Sequence, residues 1–191
     1  GITKCCNNIS KYNGEVDFVL LPFAAHNAQN GIQLLEFREF IYGKNHGASS
    51  LYKWHTNYHS ELDDDKGIEL EKQTEILYKV PSCSLDSLDF LFEKKIFLLA
   101  MDVEGAEFEV LNGAVKLLKK IKYICLETGF NQPREGVPRD SAEKIVKFLK
   151  EKGFNLVAVD NGETSLPKDD GQLKQFNILF QNKDFLEDTY S

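Results

Sequence analysis

The sequence predicts an α/β fold with a mostly parallel sheet, and three observations carry that prediction. Short, near-continuous apolar runs recur (VDFVLLPFAA, KIFLLAM, KYICL), each the length of a strand buried on both faces. Between residues 96 and 160 such runs alternate with helix-periodic stretches, and strand-helix-strand-helix-strand implies parallel strands joined by crossovers. The run ending at Met101 leads at once into Asp102, Glu104, Glu107 and Glu109, four acids within eight positions. Open α/β sheets bind their ligands at such strand ends.

The bulk properties narrow the function classes. A chain of 191 residues, 42% hydrophobic, suffices for one domain with a real core. Its formal net charge of -7 argues against nucleic-acid phosphates or an anionic membrane as main partner. The apolar runs are too short to span a bilayer. Four cysteines are present, Cys5, Cys6, Cys83 and Cys125, with no CxxC pair. A structural zinc site or a disulfide framework is therefore not expected, and a reducing, cytoplasmic setting is the default. Cys125, in YICLE, reads as a small core residue.

Taken in order, residues 2–12 present Ile2, Cys5, Cys6 and Ile9 on one helical face before Asn13-Gly14 breaks the pattern. VDFVLLPFAA follows as a strand, with Pro22 placing it near a sheet edge or strand end. HNAQNG turns the chain into IQLLEFREFIYG, whose alternation predicts a strand. Residues 43–73 are the least regular; they hold Trp54, Tyr52 and Tyr58 with His46, His55 and His59, read as a surface loop packed by its aromatics. TEILYKV is a strand by its alternation. Ser84 or Asp86 caps a short helix carrying Leu88, Leu91 and Phe92.

KIFLLAMD is a buried strand, and EFEVLNGAVKLLKKI a helix with Phe108, Leu111, Val115 and Leu118 at helical spacing. KYICLE is the next strand and TGFNQPREGVPR a loop. Asp140 and Glu143 form a capping box for the helix SAEKIVKFLKEKG, which Gly153 ends. FNLVAVD and KQFNILFQN are the last strands; joined by a loop without a helix, they suit an antiparallel pair.

For Glu107 and Glu109 the plain reading is that acids in a first helical turn offset the macrodipole, by about 0.3–1 kcal/mol each. Asp102 and Glu104 lie where a pocket should open and are the candidate catalytic residues. Glu127, at the next strand end, orients substrate, acts as a base, or bonds loop backbone. Asp102 and Glu127 lack a clear third ligand, so no metal is expected. His26, alone in a turn, reads as solvated.

The stretch KKIFLLAMDVEGAEFEVLNGAVKLLKKIKYICLE resembles the signature of the FkbM family of S-adenosylmethionine-dependent O-methyltransferases: D-V-E-G-x-E, then V-L-x-G-A, then a strand ending in Glu. SLDSL is similar to that family's T-L-D segment, GASSL to its serine-containing segment, and DFVLLPFAA and FNILF to its third and final strands. The resemblance implies a Rossmann-like, class I methyltransferase sheet and S-adenosylmethionine as cofactor. It implies a sugar or other small polar hydroxyl as acceptor, with Ala24 and Ala25 lining the adenine pocket. No Gly-rich turn after a first strand, and no acid ending a second, is recognisable upstream of Asp102. The expectation is that residues 1–191 form a partial domain lacking the first two strands, with an open edge on the DVEG strand and weak cofactor binding by itself. The rival reading is a catalytically silent binding module that keeps the second half of the fold.

Overall fold

Strand-forming runs become strands here, but they sort into two sheets rather than one. The computed structural model describes residues 21–28, 31–42, 49–53, 73–91, 94–129, 134–138, 140–160 and 176–185. The expected helix at 2–12, most of the strand before Pro22, Cys5, Cys6 and the aromatic loop beyond Lys53 lie outside them. The first sheet has the order β1-β3-β2, from β1 (Ala24–Ala25), β2 (Gln33–Tyr42) and β3 (Gln73–Cys83). The second has the order β4-β5-β7-β6, from β4 (Ile96–Met101), β5 (Ile121–Thr128), β6 (Phe154–Asp160) and β7 (Phe176–Asn182).

The mostly parallel sheet expected from the sequence is met in part: in the second sheet β4, β5 and β6 share one direction and β7 opposes them, while the first sheet is mixed. β1–β3 and β4–β5 are parallel; β2–β3, β5–β7 and β6–β7 are antiparallel. The apolar residues of β7 explain its position. Phe176, Ile178 and Phe180 are buried on one face of β7, which lies between β5 and β6 and joins the core there. β6 is left at the rim, with Leu156, Val157 and Val159 half-exposed. β2 and β3 alternate polar and apolar residues, as an antiparallel ladder with one solvated face requires. β3 runs through Pro81 without conflict, because β1 pairs only with Ser82 and Cys83 and Pro81 therefore has a neighbour on one side.

The core belongs to the second sheet. Ile121, Ile124 and Leu126 of β5 pack with Val110, Leu111, Ile145 and Leu149, each fully or almost fully buried. Full burial of such a side chain stabilises by about 1.5–3 kcal/mol. Cys125 is only partly buried, and Cys83 is the buried thiol. The strand KIFLLAM was expected inside; instead Phe97 is 68% exposed, because among the described residues β4 pairs on one side only.

The helices are shorter than their periodicity suggests. α1 covers Glu107–Asn112 and stops at Gly113; a 3-10 turn, Leu117–Lys120, follows. Two contacts stop it. A Cβ on Gly113 would lie 2.2 Å from the carbonyl oxygen of His26, so the chain passes against backbone there. Asp86 then accepts the backbone N–H groups of Lys116 (3.0 Å) and Leu117 (2.9 Å), capping a new turn. Its own 3-10 helix, Leu85–Leu91, is capped by Ser84, whose hydroxyl accepts the Ser87 N–H at 3.2 Å. α2, Ser141–Glu151, begins after Asp140, but no capping box forms. Asp140 meets Lys144 at 3.0 Å instead. Gly153 takes the left-handed conformation (φ 91°) that ends the helix.

Candidate functional site

β4 and β5 end side by side, and that register builds the site. Met101 pairs with Leu126, so one residue further on Asp102 stands next to Glu127. The Asp102 carboxyl lies within hydrogen-bonding reach of the Glu127 carboxyl. Burial pushes the Glu127 carboxyl above its usual range, and the negative charges of Asp102 and Glu104, with the Asp102 hydrogen bond, push it further. Asp102 is exposed and Glu127 partly buried, so the pair opens to solvent.

Glu104 reaches this cluster through an unusual backbone. Its φ is 53°, and Gly105 follows at 101°. A non-glycine residue held there costs about 1–3 kcal/mol, so its neighbours must hold it. The Ser50 hydroxyl donates to the Glu104 carbonyl oxygen at 2.6 Å and accepts the Tyr52 N–H at 3.0 Å. Arg134, 2% exposed, donates through Nη2 to the Glu104 carboxylate at 2.5 Å. The segment after Arg134 is tied down as well: Glu135 donates its N–H to the Lys53 carbonyl at 2.7 Å.

The helix acids do more than offset a dipole. Glu107 is 2% exposed and accepts the Gly105 N–H at 3.0 Å, with further backbone bonds from Val103 and its own N–H. Burial pushes its carboxyl up to about 7 despite those bonds. Glu109 hydrogen-bonds the Tyr52 hydroxyl; burial and that carboxylate push the phenol upward. His26 is partly buried, not solvated as expected. Burial lowers its pKa, against the charge of Glu109, and its Nδ1 is buried without a hydrogen-bond partner.

The structure therefore brings Asp102, Glu104 and Glu127 together. Ala24 and Ala25 lie in another sheet, partly buried at the end of β1 and next to His26. Sequence reasoning missed Arg134, Ser50 and the burial of Glu107. A lone arginine inside a Gly/Pro loop carries no periodic signal. Ser50 was visible only as part of GASSL.

A groove of about 510 Å³ runs between α1 and α2, lined by Gly105, Glu107, Phe108, Val137, Ser141 and Phe148 among others. It excludes Asp102 and Glu127, so we place the candidate site at the strand ends, where titratable groups face one another. No group of three or more His, Cys, Asp or Glu among the described residues is arranged for a metal ion. None of their helices is long and apolar enough to cross a membrane.

S-adenosylmethionine fits these residues in part. Ala24 and Ala25 present small side chains, and the neighbouring His26 Nδ1 is buried without a hydrogen-bond partner. No Gly-rich turn between a strand and a helix, and no acid-ended strand before β4, occurs among the described residues to take the methionine and ribose ends.

The curated proteins and the solved structures yield no match to this chain. A family model does match: that of the methyltransferase FkbM domain, over residues 6–156. That span contains the turn at Asp102 to Glu107, the strand ending in Glu127, and Arg134. With most of its length covered by that model, the chain belongs to the FkbM methyltransferase family.

Proposed function

We propose that the chain carries the second half of an S-adenosylmethionine-dependent O-methyltransferase domain acting on a hydroxyl of a sugar or similar small polar acceptor. The observation that carries this reading is the convergence of Asp102, Glu104 and Glu127 at the ends of two parallel strands. The cofactor supplies an electrophilic methyl group on a sulfonium sulfur. The chain's own part is to hold the acceptor hydroxyl and take its proton. Asp102, exposed and adjoining Glu127, is the group closest to that task. As a carboxylate at a strand end beside Glu127, it is placed to take the hydroxyl proton. Glu104 and Glu127 offer further oxygens to neighbouring hydroxyls, which favours a polyhydroxylated acceptor over an apolar one. Ala24 and Ala25 would line the adenine side, with His26 at its edge.

The test is methyl transfer from isotopically labelled S-adenosylmethionine to a panel of monosaccharide and oligosaccharide acceptors, with calorimetric titration of the cofactor alongside. Label in a sugar ether is the expected result. Cofactor binding without transfer to any hydroxyl acceptor would favour the silent module. Tight binding by these 191 residues alone would move the cofactor site into residues 1–80, since each polar contact missing from the described set should cost about 0.5–1.5 kcal/mol.

A further inference from the structure

We infer that Arg134 is a positioning residue that fixes Glu104 beside the Asp102–Glu127 pair and keeps its charge from blocking that pair's proton uptake. The inference rests on the reading just given, and its observations are geometric. Arg134 is almost wholly buried in a loop after β5, yet its guanidinium meets the carboxylate of a residue on the turn after β4. Burying an arginine is unfavourable unless it is paired, and Glu104 is the partner that Nη2 meets. Glu104 is held twice, from separate segments: Ser50 takes its backbone oxygen and Arg134 its side chain. The holding is needed because the backbone at Glu104 is left-handed. The Arg134 loop and the Ser50 segment are themselves joined, by the Glu135–Lys53 backbone bond and by the ring of Tyr52, which lies 3.6 Å from where a Cβ on Gly136 would sit.

Among the described residues the charged groups coupled here are Asp102 and Glu104 on the turn, Glu127 on β5, Glu107 on α1, and Arg134. The charges of Asp102 and Glu104 both disfavour the ionised form of Glu127. A guanidinium on Glu104 offsets one of the three charges. The charge left facing Glu127 is then chiefly that of Asp102. Arg134 itself needs no contact with substrate.

The experiment is a double-mutant cycle on methyl transfer with Arg134→Met, Glu104→Gln and the double variant, plus Arg134→Lys. Arg134→Met should lower kcat/KM by about 10²-fold, the scale of losing a fixed geometry. In the Glu104→Gln background the same substitution should change it by no more than about twofold. Arg134→Lys should recover part of the loss, since it restores the charge but not the planar fork. Equal losses in both backgrounds would mean that Arg134 supports the fold generally, and the inference fails. So does loss of folding in both the single and the double variant.

A second readout does not depend on activity: the titration midpoint of Glu127, followed by carbon NMR of the labelled carboxyl. It should rise in Arg134→Met and stay near the Glu104→Gln value in the double variant. A wild-type protein that transfers no methyl overturns the proposed reaction but leaves this measurement decisive for Arg134. An unmoved midpoint in Arg134→Met overturns the positioning role.

Discussion

The two sheets are held together by different means. The four-stranded sheet carries a continuous core, from Met101 and Val110 through β5 and α2 to Phe180. Among the described residues the three-stranded sheet contributes Ala25, in partial contact with that core, and exposes Leu34, Leu77 and Tyr78. Its cohesion comes from the β2–β3 ladder, which pairs Gln33 with Ser82 and continues to Tyr42 with Gln73, and from ion pairs such as Arg38 with Glu75 at 2.5 Å. Exposed ion pairs of this sort contribute about 0–1 kcal/mol. The candidate chemistry sits on the sheet with the core, where strand ends are fixed. The other sheet touches it through a few polar contacts, with Ser50 foremost.

The sharpest test of this contrast is Asp102→Asn, which should separate function from stability. Asn keeps the volume and some hydrogen-bonding capacity, so folding should persist while methyl transfer falls by about 10²–10⁴-fold. Turnover equal to wild type would remove Asp102 from the mechanism. Next comes a matched pair of truncations read by urea unfolding. Leu126→Ala, in the centre of the core, should cost about 2–5 kcal/mol. Leu77→Ala, at a site 55% exposed, should stay within about 0.5 kcal/mol. Similar costs would show that the three-stranded sheet has a core of its own.

Glu107 predicts a pH dependence for the first of these regions. Its carboxyl titrates near 7 when folded against an ordinary 4.5, so the folded chain binds the extra proton. Its contribution is fully present below pH 4.5 and is lost as pH rises to about 7, a fall of roughly 3 kcal/mol at most. Unfolding free energies between pH 4 and 8 should show that slope, and Glu107→Gln should flatten it. An unchanged slope in the variant assigns it to other groups. A further effect concerns the link between the sheets. Ser50→Ala leaves the Glu104 carbonyl without its hydroxyl donor and should cost about 1–3 kcal/mol. Hydrogen exchange at Glu104 and Tyr52 should then quicken ahead of exchange in β5. Uniform quickening would make the two sheets one cooperative unit.

Much of this was legible from local pattern. β2, β5, β6 and β7 stand where alternation or apolar runs put them, because those signals are fixed by which face is buried. The acids after Met101 were also legible as a group, since a strand end followed by a tight Gly turn leaves side chains little choice of location. What the pattern did not contain was pairing. Nothing in FNILF says that it inserts beside KYICL, and nothing in KIFLLAM distinguishes a strand with two neighbours from one with a single neighbour. The long helix expected after Glu107 failed for a related reason. Its periodicity was right, as buried Leu111 and Leu118 show, but Asp86 and His26, distant in sequence, end it at Gly113. Arg134 is the clearest case: its role depends wholly on a partner thirty residues away.

Among the described residues β4 has one edge without a partner strand, and such an edge makes concentration a variable. Phe97 and Leu98 stand exposed beside a row of backbone donors and acceptors that no described strand occupies. Such a row is a template, and an extended segment of any second molecule can complete it. In dilute solution the edge is merely hydrated. At high protein concentration, encounters between edges grow with the square of the amount present, so light scattering should rise faster than linearly with dose. A lysine placed at Phe97 would set like charges against each other and hold the molecules apart.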